Sequence, residues 1–329
     1  MRNIVFYISI GIFVASRIAC ADVSLPAMFS DHAVLQRGMA VPVWGTASTG
    51  ESVTVSFNGQ SKTTTADGNG DWLIHLEPME ASTSPVTMVI TGNNRITLTG
   101  IQVGEVWVGS GQSNMQRPLS DDCEAAAAIA DAGNYNMRFF NVTANGGNVS
   151  NTAWQVSDAT TAAAMSAVHF YFGRHLAQEM PDVPIGLITS AVGATAIEKW
   201  ATCTGNGSLY TGQIVPLQPY GIRGTTWYQG EWDARGRQDS SKYYWQLPCL
   251  INEWRTDWSQ GNFPFYVVQM PKMGINSIHI IRDAELQTTL DDSQVEMIVK
   301  IDQPGRDVHP PCKDPFGVRL AMLARKLIY

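Results

Sequence analysis

The sequence predicts an α/β domain on a parallel sheet of five strands, preceded by a small β-sandwich. Three observations carry this expectation. Up to about Leu98 apolar residues alternate with polar ones at a period of two. From Val103 onward that alternation gives way to continuous apolar runs separated by helix-period segments. Alternating strands and helices of that kind build a parallel sheet covered on both faces.

In the N-terminal part, Val53, Val55 and Phe57 alternate with Ser52, Thr54 and Ser56. Asp67-Gly68-Asn69-Gly70 is a strong turn, and Trp72, Ile74 and Leu76 resume the alternation beyond it. Short strands joined by polar turns indicate the sandwich. Downstream, the runs Val103–Val108, Ile185–Thr189, Ile222–Tyr228, Phe265–Met270 and Val295–Ile301 are expected as the buried strands. Asp121 or Asp122 is expected to cap an alanine-rich helix reaching Ala132. Phe172, Leu176 and Met180 mark a helix closed by Pro181. Tyr243, Leu247, Leu250, Ile251 and Trp254 stripe another, which Pro248 is expected to kink. Asp314-Pro315 opens the last helix. The division is therefore residues 1–21 as a leader, 22–102 as the sandwich and 103–329 as the α/β domain.

The leader rests on Arg2, the apolar run from Ile4 to Ala15, and Ala19-Cys20-Ala21 as a small-x-small cleavage site. It implies a secreted or periplasmic protein, without a stable membrane span after cleavage. Cys123, Cys203, Cys249 and Cys312 then remain, enough for two disulfides with three possible connectivities. No CxxC spacing suggests a metal or redox motif, and no metal or cofactor is expected. With 44% hydrophobic and 16% charged residues the chain has the balance of a folded core. A net charge of −7 argues against a nucleic-acid partner.

Sites in open α/β sheets lie beyond the carboxyl ends of the strands. There the chain carries Gly109-Ser110-Gly111-Gln112-Ser113, then Gly193, then Gln229-Gly230-Glu231, and finally Asp307-Val308-His309. A serine hydroxyl needs a base to become a nucleophile, and His309 is the natural one for Ser113. Asp307 is expected to hold the imidazole, since residues two apart in an extended segment point the same way. Asp302 and Asp314 are the alternatives, as is a dyad whose ring is held by a backbone carbonyl. The N–H groups of Ser113 and Gly193 and the amide of Gln229 are candidate oxyanion donors. Glu231 is expected to brace its loop, Trp232 to narrow the pocket or stack on a sugar, and Arg282 is a weak candidate for a substrate carboxylate. The remaining histidines show no ligand spacing and read as structural.

These segments resemble the sialate O-acetylesterase family of the SGNH-hydrolase superfamily. The resemblance rests on SDHAVLQRGMAVPVWG (residues 30–45), GEVWVGSGQSNM (104–115), SAVGATAIEKW (190–200), IRGTTWYQGE (222–231) and DVHPPCKDPFGVRLAMLAR (307–325), in order along nearly the whole chain past the leader. It implies a flavodoxin-like three-layer core and cofactor-free removal of acetyl groups from sugars, either sialic acid or a plant polysaccharide such as xylan. It implies Ser113 as nucleophile, His309 as base, Gly193 and Gln229 as oxyanion donors, and Asp307 as third member. The sequence departs from the family at Ala194, where a second glycine is usual, and at Trp232-Asp233. Shortening after Trp200 suggests that an accessory β-domain is absent. The rival reading is a non-catalytic carbohydrate-binding protein derived from an esterase. An acetylated saccharide is the expected partner; the sequence leaves the oligomeric state open.

Overall fold

The strands of the N-terminal part are β1 (Val34–Gln36), β2 (Val41–Thr46), β3 (Ser52–Phe57), β4 (Gln60–Thr65), β5 (Asp71–Leu76), β6 (Ser82–Thr91) and the 17-residue β7 (Arg95–Gly111). In this computed structural model residues 22–236, 239–272, 274–275, 277–299 and 307–329 are described; the expected leader and Asp302 lie outside them. The period-two reading holds at side-chain level: Val53, Val55 and Phe57 are buried in β3, and Trp72, Ile74 and Leu76 in β5. β2 and β5 form one antiparallel pair, while β4, β3, β6 and the first half of β7 form a second antiparallel set.

The expected boundary at residue 102 falls inside β7, which continues from the antiparallel set into the parallel sheet. A change from alternating to continuous burial along one strand therefore marks a change of surroundings, with no break in the chain. The junction is pinned by charge. Glu105, fully buried, accepts from Arg37 Nε at 2.5 Å and from Arg223 Nε at 2.7 Å. Gln36 Nε2 donates to Glu105 at 3.1 Å, and Gln36 Oε1 accepts from the Val106 N–H at 2.8 Å. Burying a carboxylate costs its hydration, and donors such as these offset that cost.

The α/β part contains α1 (Ser113–Gln116), α2 (Ala125–Asp131), β8 (Met137–Asn141), β9 (Gln155–Val156), α3 (Ala159–Ala163), α4 (Ala167–Glu179), β10 (Ile185–Ala191), β11 (Gly224–Tyr228), α5 (Tyr243–Trp258), β12 (Phe265–Val268), α6 (Ile278–Asp291), β13 (Val295–Ile298) and α7 (Asp314–Leu327). The strand order is β13-β12-β11-β7-β10-β8-β9, parallel from β13 to β8, with β9 antiparallel at the edge. The sheet thus has a sixth parallel strand, β8, beyond the five expected. Its sequence MRFFN is short and carries Arg138, so its apolar run is too brief to stand out.

Both faces of the sheet are covered. Trp107 pairs in register with Gly224, so Trp227, three residues on, points to the opposite face. Trp107 meets Phe172 of α4 edge-on at 5.1 Å, whereas Trp227 meets Trp254 of α5 at 5.9 Å. α5 passes through Pro248 as one helix. α2 begins at Ala125, and the Asp122 carboxylate just before it accepts from the Glu124 N–H at 3.0 Å as well as from Tyr171 Oη at 2.8 Å and the Lys313 N–H at 2.7 Å.

Candidate active site

β7 lies between β10 and β11, the point at which the winding of the chain reverses direction. Gly111, Ala191 and Tyr228 are in register there, so the loops leaving these three strands meet. The exit from β7 requires glycine. Gly111 has φ +136°, and a side chain on it would start 2.2 Å from the Tyr228 carbonyl oxygen. The turn lets the Gln112 N–H bond that carbonyl at 3.0 Å and sets Ser113 as the first residue of α1. A first-turn N–H has no acceptor within its own helix, which leaves that of Ser113 available to a ligand.

The base arrives from the other end of the chain. His309 Nε2 lies 2.9 Å from Ser113 Oγ across 196 residues. Its loop is tied to the segment around Ser113 by several links. Asn114 Nδ2 donates to the Val308 carbonyl at 2.7 Å. The Cys123 N–H donates to the Pro311 carbonyl at 2.9 Å, and a disulfide joins Cys123 to Cys312. Lys313 Nζ donates to Asn114 Oδ1 at 2.5 Å, and Lys313 is nearly fully buried. Partial burial holds the His309 imidazole below the ordinary histidine pKa, and the nearby charges of Arg117, Lys313 and Arg235 push the same way. The ring is thereby kept neutral, the state a base needs.

Gly193 follows β10 and stands against the nucleophile, since a side chain on it would start 3.4 Å from Ser113 Cβ. Its N–H donates to Gln116 Oε1 at 2.7 Å. Ala194 adopts φ +57°, a left-handed conformation uncommon for alanine. Thr195 Oγ1 donates to the Val192 carbonyl at 2.7 Å and accepts from Trp200 Nε1 at 3.0 Å, which fixes this turn.

Two of the expected site residues have other surroundings than the sequence reading assumed. Gln229 is fully buried, and its amide protons are already shared among Thr195 O at 2.9 Å, Gln112 Oε1 at 3.2 Å and the Asp233 carboxylate. An amide bonded in this way braces the three loops. Asp307 is exposed, and among the described residues no hydrogen bond joins it to His309. The expectation assumed an extended segment, but Val308 and His309 are bends, so the two-residue parity does not apply. Asp314 is held by Arg174 at 2.6 Å and His175 at 2.9 Å.

Glu231 is buried behind α1, where it accepts from Asn114 Nδ2. Trp232 is partly exposed, and its N–H donates to Gln112 Oε1 at 3.3 Å. Arg282 sits on α6 with one amine on Gln269 Oε1 at 3.3 Å, and it is not among the charges that act on His309. Arg117 and Arg235 are, and sequence reasoning passed over both. Asn114 and Lys313 were also missed, although both lie inside the quoted motifs; position next to Ser113 and Cys312 was the available signal. Among the described residues no group of acidic, histidine or cysteine side chains is arranged to hold a metal ion.

A serine and a neutral histidine in hydrogen-bond contact at the switch point of a parallel sheet define a class, the serine ester hydrolases. A family model described as carbohydrate esterase, sialic acid-specific acetylesterase matches residues 103–313. Human sialate O-acetylesterase is 26% identical over 96% of this chain and 73% of its own length, and the mouse protein is 26% identical over 95% and 75%. The crystal structure of a carbohydrate acetylesterase from Xanthomonas citri matches with a TM-score of 0.85 at 31% identity, covering 93% of this chain and 75% of that one. An Arabidopsis thaliana protein shares the fold, with a TM-score of 0.54 at 19% identity over 69% of this chain and 99% of its own. The chain belongs to the carbohydrate esterase family of sialic acid-specific acetylesterases. It is a serine carbohydrate O-acetylesterase.

Proposed function

We propose that this chain deacetylates sugars by two acyl transfers carried by a Ser113–His309 dyad. The contact of 2.9 Å between Ser113 Oγ and His309 Nε2 carries the reading. Ser113 Oγ attacks the acetyl carbonyl while His309 Nε2 takes its proton. The oxyanion accepts from the N–H groups of Ser113 and Gly193. His309 then protonates the departing sugar oxygen, which leaves an acetyl-Ser113 ester. Water, deprotonated by His309, attacks that ester; the acyl–oxygen bond breaks, His309 returns the proton to Ser113 Oγ, and acetate leaves. Gln229 keeps the loops in place through Gln112 and Thr195.

The charges that act on His309 favour a sugar that bears a carboxylate, with Arg235, and Arg117 beside its Asp121 partner, in the role first considered for Arg282. That description fits an acetylated sialic acid. A neutral acetylated polysaccharide such as xylan is the second reading, supported by the partly exposed Trp232 as a stacking surface. In architecture we read the sheet and its helices as the three-layer SGNH-type core and the N-terminal strands as a small sandwich. Two disulfides favour a location outside the cytoplasm, and among the described residues no helix is long and apolar enough to cross a membrane.

The test is acetate release from acetylated sialic acid and acetylated xylan by the protein and by Ser113→Ala. Release by the parent alone supports Ser113 as nucleophile, and the better substrate decides between the two sugars. A folded parent that releases acetate from neither, and leaves a small acetate ester intact, is a binding protein instead.

A further inference from the structure

The backbone donor assigned to the oxyanion is already occupied. Ser113 opens α1 and Gln116 follows three residues later, so both side chains emerge on the same side of the helix. Gln116 Oε1 accepts from the Gly193 N–H at 2.7 Å. That is the distance and direction at which an oxyanion would accept from the same donor. The crowding around Gly193 agrees: a side chain there would start 2.7 Å from Gln116 Oε1 and 3.4 Å from Ser113 Cβ, so the amide oxygen and the nucleophile converge on one small space. Gln116 is partly exposed, and the bond to Gly193 is the one hydrogen bond of its side chain among the described residues. The side chain is therefore tethered at a single point and partly open to solvent.

We propose that Gln116 is a built-in competitor for the oxyanion position, which the acetyl carbonyl must displace. This rests on the reading of Ser113, His309 and Gly193 given above. The free enzyme satisfies its Gly193 donor internally, where an amide oxygen is a better acceptor than an ester carbonyl. A developing oxyanion forms a charge-assisted bond, roughly twice as strong as a neutral one, and so displaces the amide more readily than a ground-state ester does. The competitor thus acts mainly against weak or misplaced ligands. It also taxes every productive encounter, because the path from free enzyme to transition state includes breaking the Gln116–Gly193 bond. One neutral hydrogen bond corresponds to about a fivefold effect on an equilibrium.

The experiment measures kcat/KM for a small acetate ester, and inhibition by acetate ion, in the parent, Gln116→Ala and Gln116→Met. Methionine keeps the length and removes the acceptor, so it decides the matter if the alanine variant folds poorly. The expected result is a rise in kcat/KM of about fivefold in both variants, with acetate inhibiting at correspondingly lower concentration. A side chain that merely supports the loop would lower kcat/KM and leave acetate inhibition unchanged or weaker. Unchanged or reduced kcat/KM in folded variants, beside an active parent, overturns the competitor role alone. No turnover by the parent itself overturns the site reading on which that role rests.

Discussion

Asn114 is the residue through which three parts of the site hold one another, and its truncation has a calculable consequence. Asn114 is fully buried; its amide donates to the Glu231 carboxylate and to the Val308 carbonyl and accepts from the Lys313 ammonium. Glu231 is 1% exposed and Lys313 2%, so neither recovers full hydration when its partner is removed. Two of the three bonds involve charged groups, worth roughly 1.5–3 kcal/mol each, and the third is worth about 1 kcal/mol. Partial entry of water into the space left by the amide offsets part of that sum. Asn114→Ala is therefore expected to cost about 3–5 kcal/mol of stability in urea unfolding. It also frees the Val308 carbonyl, one residue from His309. A misplacement of about 1 Å at the base costs on the order of a hundredfold, so kcat/KM under folding conditions should fall by about that factor. Adding Lys313→Met removes the buried ammonium that has lost its Asn114 acceptor, and because the two side chains are in contact the double variant should be more stable than the sum of the singles implies. A stability loss below about 1 kcal/mol with kcat/KM within threefold of the parent would refute the argument that this network sets the base.

Four further outcomes follow from the same geometry. Because burial and the charges of Arg117, Lys313 and Arg235 lower the His309 pKa, kcat/KM should rise with pH through a midpoint below the ordinary histidine value of about 6.5. Arg235→Gln should move that midpoint upward at low salt; an unmoved midpoint counts against the charge argument. Replacing Cys123 and Cys312 by serine opens a closure of 189 residues, about 5 kcal/mol in the chain-entropy description, and should also depress kcat by loosening the His309 loop. The pair Cys203 and Cys249 closes 46 residues and lies away from that loop, so its removal should lower stability by about 4 kcal/mol while kcat in the folded protein is kept; equal kcat losses for the two pairs would deny the tether its role. Ala194→Gly should be neutral or stabilising by up to about 1 kcal/mol, because the φ of +57° penalises alanine; a thermal melt showing the usual glycine loss would contradict this. Asp307→Asn should lower kcat by less than about tenfold, where a carboxylate holding the catalytic tautomer would cost on the order of 10⁴.

Local pattern determined much of this protein. Alternation placed the buried residues of β3 and β5, and continuous apolar runs placed five of the six parallel strands. These readings succeed because side-chain period and strand-end glycines are consequences of backbone geometry, which neighbouring residues set. Tertiary structure alone decided the rest. Three cysteine connectivities were open until the His309 loop was brought beside Cys123. Lys313 reads as a surface residue in any window of sequence, and groups far from it in the chain, among them Asn114 close to 200 positions earlier and the Tyr228 ring, receive its buried ammonium. The Gln229 amide was expected at the oxyanion and is instead consumed by Thr195, Gln112 and Asp233, acceptors from three separate segments. Asp307 failed to reach His309 because bends at Val308 and His309 replace the extended spacing on which that expectation depended. Hydrogen-bond saturation and the compensation of buried charge depend on which distant groups arrive at a point, and spacing along the chain does not encode that arrival.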